Sequence, residues 1–153
     1  MKNIISICLT IGLVFCQDGV DLDLSYFPNG KKRVEGQWKN GKIHGRWIGW
    51  NKHGQKLYQI EYVDGLKTGE WTYWHSNGKK SFEQSYNNNQ PDGVSTSWYE
   101  TGQKSSERSY KNNRVDGVET FWYPNGQTSK KIIHKDGKLV SVNQWNEDGS
   151  PIK

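Results

Sequence analysis

A repeat length constrains this chain more than any other property. Gly30, Gly54, Gly78, Gly102 and Gly126 stand 24 residues apart, and Gly149 follows after 23. Trp38, Tyr62, Tyr86 and Tyr110 keep the same step until His134 breaks it. Trp50, Trp74, Trp98 and Trp122 keep it too, with Trp145 arriving one residue early. Gly45, Gly69, Gly93 and Gly117 form a further series. Series that share one period mark a supersecondary unit that buries its apolar surface against its neighbours. The chain therefore reads as an array of about five units, not as a globule built round one centre.

Each unit reads as a hairpin. An aromatic strand end runs into a turn closing on glycine, as in Trp50-Asn51-Lys52-His53-Gly54 and Trp122-Tyr123-Pro124-Asn125-Gly126. Asn-Gly and its relatives supply the positive φ that tight turns demand. A second turn inside the unit carries Gly41, Gly65, Asn89, Asn113 and Gly137 at one position. Glycine and asparagine tolerate the left-handed region best, so this position is expected at positive φ. The segments between turns are of ordinary strand length, expected at 31–39 and 45–50, 55–63 and 69–74, and so on to 140–145. No apolar period of 3.6 outlasts a single turn. The expected fold class is all-β: a single-layer twisted antiparallel sheet of tandem β-hairpins.

Period two assigns the faces. Val34, Gly36 and Trp38 share one, as do Tyr58, Ile60 and Tyr62, and Phe82 and Tyr86. In the second strands Trp50, Trp74, Trp98 and Trp122 lie with Ile48, Thr72, Thr96 and Thr120 on a uniform face, expected to be structural. The opposite face changes from unit to unit: Trp47, Trp71, Tyr73 and Phe121 in some, Ser95, Ser97 and Glu119 in others. Trp47, Trp71, Tyr73 and Phe121, with Arg46 and Lys67 nearby, are the expected partner-binding face, because exposed aromatics beside cations are the composition of interface hot spots.

Only 32% of the residues are hydrophobic but 13% are aromatic, including eight Trp and eight Tyr. Burial must rest on flat aromatics across a thin sheet. The net charge of +5 is spread over the repeats with no Lys/Arg block, so no nucleic-acid partner is expected. Cys8 and Cys16 are the only cysteines, which leaves no disulfide framework and no cysteine metal site. Residues 1–16 read as an export signal: Lys2, then an apolar run from Ile4 to Phe15 too short to span a bilayer. Leu13-Val14-Phe15-Cys16 resembles a bacterial lipobox, with Phe15 where a small residue is expected. Lipidation of Cys16, cleavage beyond Phe15 and a retained anchor are the alternatives, all of which place the protein in the cell envelope or outside the cell. Residues 17–25 read as an acidic tether, and 26–153 as the repeat array with a C-terminal cap.

Glu35-Gly36-Gln37-Trp38-Lys39-Asn40-Gly41-Lys42-Ile43-His44-Gly45 closely resembles the MORN repeat, whose pattern is an aromatic, glycine, an aromatic, Asn-Gly-Lys, one residue and His-Gly. Later units such as Tyr62-Val63-Asp64-Gly65-Leu66-Lys67-Thr68-Gly69-Glu70-Trp71 look like the shortened bacterial variant found in antitoxin-like repeat proteins. The resemblance implies an open sheet of hairpins and roles in protein or lipid binding and scaffolding, with some bacterial members acting as antitoxins or immunity proteins. Units three and four depart from it at Asn89, Asn113, Asp92 and Asp116, and the last unit at His134 and Ser141.

Chemistry finds no foothold. His44, His53, His75 and His134 fall in three different repeat positions, with no partner at metal-ligand spacing. There is no G-x-S-x-G elbow and no phosphate-cradling glycine loop. Carboxylates recurring at Glu35, Glu83 and Glu107 are spaced by strand pairs, too far apart for an acid–base couple. The expectation is a non-enzymatic module without catalytic, cofactor or metal residues. It binds a protein partner, with an antitoxin role or a lipid or glycan ligand as alternatives, and its open sheet ends permit self-association.

Overall fold

A computed structural model of the protein describes residues 16–17, 19–111 and 113–152. They form one antiparallel sheet in which strands join in chain order. A short β1 (Cys16–Gln17) and β2 (Val20–Tyr26) precede the first full hairpin, β3 (Lys32–Lys39) and β4 (Lys42–Trp50). The next are β5 (Lys56–Val63) with β6 (Leu66–Trp74), and β7 (Lys80–Asn87) with β8 (Gln90–Trp98). In the fourth, β9 (Lys104–Lys111) meets a second arm broken into β10 (Arg114–Val115) and β11 (Gly117–Trp122). The fifth pairs β12 (Thr128–Lys135) with β13 (Lys138–Gln144). The expected all-β array of hairpins in a single layer is what the molecule adopts.

Inside the first, second, third and fifth repeats the connection is two residues, both at positive φ, such as Asn40 and Gly41 at 50° and 72°, and Asn88 and Asn89 at 49° and 69°. Two left-handed residues make a type I′ turn, whose twist matches that of the strands it joins. The second strands consequently start at Lys42 and Leu66, three residues before the expected starts at Gly45 and Gly69. Those glycines lie inside the strands at φ 68° and 60°. Here the pairing slips, from Glu35 opposite Ile48 to Gln37 opposite His44, so Gly45 marks a bulge, not a strand start.

Between repeats a wider turn is closed by main-chain bonds. Phe27 N–H donates to Lys31 O at 2.8 Å and Gly30 N–H to Phe27 O at 2.9 Å, and the arrangement returns at 51–55, 75–79, 99–103, 123–127 and 146–150. Successive turns are also tied to each other. Asn29 Nδ2 donates to Lys52 O, Asn77 Nδ2 to Glu100 O and Asn125 Nδ2 to Glu147 O, at 2.8–2.9 Å.

The expected tether is not one. From Val20 it is strand β2, paired along its length with β3 from Val20 opposite Lys39 to Tyr26 opposite Lys32. The alternation Val20-Asp21-Leu22-Asp23-Leu24 carries period two, so the acidic residues sit on one side of a strand. Asp23 Oδ2 accepts from Trp38 Nε1 at 3.4 Å, fixing β2 to the first repeat. The expected export signal lies, but for Cys16, outside the described residues.

Apolar burial is concentrated on one side of the first three repeats. Trp47 and Trp71 are 9% and 6% exposed. The Trp38 and Trp47 rings meet edge to face at 5.6 Å, Tyr62 meets Trp71 at 5.3 Å, and Trp71 meets Tyr86 at 4.9 Å. Trp47 lies flat over Gly36, where a Cβ would fall 2.2 Å from the indole, and donates its N–H to Gln37 O at 3.1 Å. Trp71 repeats that bond to Glu61 O at the same distance.

Candidate interaction surface

A single-layer sheet exposes two faces, which the register identifies. On the face that holds the buried indoles, one pair of positions changes down the array: Gly36 and Trp47, Ile60 and Trp71, Gln84 and Ser95, Arg108 and Glu119. In repeats three and four polar groups thus replace the aromatic packing. Gln84 is almost fully buried and bonds Ser85 O at 2.7 Å. Glu119, 7% exposed, is held by Arg108 Nε at 3.1 Å. The aromatic half continues from Tyr58 through Tyr73 to Phe82, with ring separations of 6.3 and 6.2 Å. Burial pushes the Tyr62, Tyr73 and Tyr86 hydroxyls above the ordinary phenol range.

The opposite face carries a ladder of alternating tryptophan and lysine near the inter-repeat turns. Lys56 pairs across the strands with Trp50 and lays its amine over Trp74, 5.5 Å from the ring centre. Lys80 pairs with Trp74 and lies over Trp98 at 5.8 Å, and Lys32 over Trp50 at 5.7 Å. The tryptophan face expected to be structural does join successive repeats from Trp50 to Trp98, with lysine as the rung between rings. The same lysines meet carboxylates: Lys32 bonds Glu35 at 2.7 Å, and Lys80 and Lys104 bond Glu83 and Glu107. A hydrogen bond that the protonated Glu70 carboxyl donates to Glu83 holds it above its ordinary range, aided by burial and like charge.

The five residues expected to form one binding face are separated. Trp47 and Trp71 belong to the core. Tyr73 and Phe121 are half-buried on the same side, Tyr73 within the aromatic row and Phe121 on a cleft with Tyr123, Lys130 and Trp145. Arg46 is exposed but lies on the other face, opposite Glu61. Lys67, by contrast, reaches the indole as expected, its amine 4.6 Å from the Trp71 ring centre and 5.2 Å from that of Tyr86.

Sequence reasoning missed where apolar surface is left open. Of eleven exposed large apolar side chains among the described residues, seven fall in the second half of the chain: Val94, Val118, Ile133, Leu139, Val140, Val142 and Ile152. Leu139 and Val140 are 62% and 60% exposed. For Val94, Val118, Ile133 and Val142 the signal was present as β-branched residues in strands, paired with no aromatic. Among the described residues no three His, Cys, Asp or Glu side chains are placed to hold a metal ion, and no helix is long and apolar enough to cross a membrane.

No curated protein matches the chain. The profile of the MORN repeat variant family matches it at residues 24–40, 67–88, 91–112 and 115–136, which together make up just over half of its length. Each of those matches spans one inter-repeat turn with strand on both sides of it, β6 and β7, β8 and β9, β11 and β12, and in the first match the end of β2 with β3. The hairpin period, the paired positive-φ turns and this match agree, and the chain belongs to the MORN repeat variant family.

Proposed function

We infer that this chain is a non-enzymatic module that binds a protein partner through its open sheet, working at the cell envelope after export. Repeats of this family generally serve as protein- or lipid-binding modules and form a non-catalytic repeat family. The observation that carries the reading is the exposed aliphatic side chains of Val94, Val118 and Ile133, which the register sets on one face of β8, β11 and β12, away from the aromatic core. Clustered apolar surface left in water marks an interaction site. The apolar run ahead of Cys16 supports export, and Cys16 supports anchoring by a lipid.

The test is a crosslinked recovery from the protein's own cells, fractionated first, with the full chain as bait. The expected result is one protein recovered in near-equal amount from the membrane or extracytoplasmic fraction. Recovery of nothing above background would remove the protein partner, and bait found only in the cytosol would remove the envelope.

A further inference from the structure

The second half of the ladder-bearing face, at the ends of the strands remote from the ladder, carries a cluster of cations that the fold leaves unbalanced. The residues flanking an intra-repeat turn lie directly opposite each other. In the fourth repeat these are Lys111 and Arg114, in the fifth Lys135 and Lys138. Like charges directly opposite in a sheet destabilise it. The corresponding pairs in repeats two and three are Val63 with Leu66 and Asn87 with Gln90, so the turn does not require charge. Lys39 and Lys42 repeat the like-charge pairing in the first repeat, but their neighbour is the apolar Val63–Leu66 pair. Only the last two hairpins set two such pairs side by side.

Period two adds an apolar floor. Ile133 shares a side of β12 with Lys135 and faces Val118 across the strands. Val94 lies opposite Ser109, which shares its side of β9 with Lys111. Val94 and Val118 are both about half exposed. Lys111, Arg114, Lys135 and Lys138 take part in no ion pair among the described residues. At the ladder end of the same face Lys32, Lys80 and Lys104 each have a glutamate. Between the two tips lies a cleft of about 450 Å³ lined by Lys111, Arg114, Asp116, Asp136 and Gly137. Asp116 accepts there from the Asp136 main-chain N–H at 3.2 Å.

We propose that this patch docks an acidic protein segment that alternates carboxylates with aliphatic side chains, the carboxylates meeting the four cations and the aliphatic groups covering Val94, Val118 and Ile133. The proposal rests on the partner-binding reading above and names its surface and chemistry. Charge complementarity selects the acid, and the exposed valines select the apolar half. A twisted strand surface suits an extended segment better than a flat bilayer. Asp116 and Asp136 at the tips, and the lack of an aromatic side chain at this end of the face among the described residues, also argue against a membrane.

The experiment measures binding of a fluorescent, end-capped peptide of alternating glutamate and valine to the full chain, by anisotropy. Binding is expected to weaken with salt and to fall roughly tenfold or more in Lys135→Glu/Lys138→Glu and in Val118→Ser, with Lys52→Glu unchanged. Single Lys135→Glu turns a like pair into an opposite one. It should raise the melting temperature while weakening the peptide, which separates lost binding from lost folding. Equal binding by all variants, or capture by phosphatidylglycerol vesicles without any peptide binding, would overturn the proposal. If the double variant also still recovers the protein partner from cells, this surface is excluded and the partner-binding reading stands.

Discussion

Gly36 and Trp47 act as one unit, since the indole lies where a side chain at 36 would begin, with a Cβ 2.2 Å from its ring. Gly36→Ala is therefore expected to cost about 1–3 kcal/mol, the usual range for overpacking. In a Trp47→Ala background the same change should cost little, because the obstructing ring is gone. Urea unfolding of the two single variants and the double variant measures the difference, and equal costs in both backgrounds would refute the coupling. The sequence placed these residues on their sides of the sheet correctly. It did not give depth: in one layer, burial depends on which rings lean over which backbone, and period two says nothing about that. Trp47 and Trp71 hence read as a platform when they are the core. Arg46 reads as their neighbour although one step along a strand puts it on the far side.

At the scale of the element, strand pairs and turns were legible because they rest on local chemistry: glycine or asparagine at positive φ, and an aromatic at each strand end. β2 was not, since its aspartates drew attention from the alternation of Val20, Leu22 and Leu24. The bulges at Gly45 and Gly69 were visible only as unexplained glycines, because a slip in pairing is a property of two strands. The contrast between repeats two and four gives a test at this scale. Arg108 and Glu119 occupy the positions of Ile60 and Trp71, and Glu119 is almost as buried as the indole it replaces. Replacing a buried ion pair with packed apolar groups is often neutral or stabilising, by about 1–4 kcal/mol. Arg108→Ile together with Glu119→Trp should raise the unfolding midpoint. Arg108→Ile alone should lower it by leaving Glu119 unpaired, and a double variant less stable than that single one would count against the aromatic pair as a transferable unit.

For the whole molecule, stability follows from contacts between neighbouring repeats, and these contacts are unequal. Aromatic packing ties β3 to β7, whereas polar groups and a broken second arm serve β8 to β11. Native-state hydrogen exchange should accordingly show amides of β9 to β13 opening before those of β4 to β7, and uniform protection along the array would contradict this. The chain order of the strands has a further, mechanical consequence. Its first and last strands lie at opposite edges of the sheet. Tension between the ends thus runs along the inter-strand hydrogen bonds, which lie across the strands, and loads one pair of strands at a time. The array tears open by stages, each released hairpin lengthening the chain while the rest stays folded. A pull at one end is spent as extension there before it reaches anything gripped by the remainder.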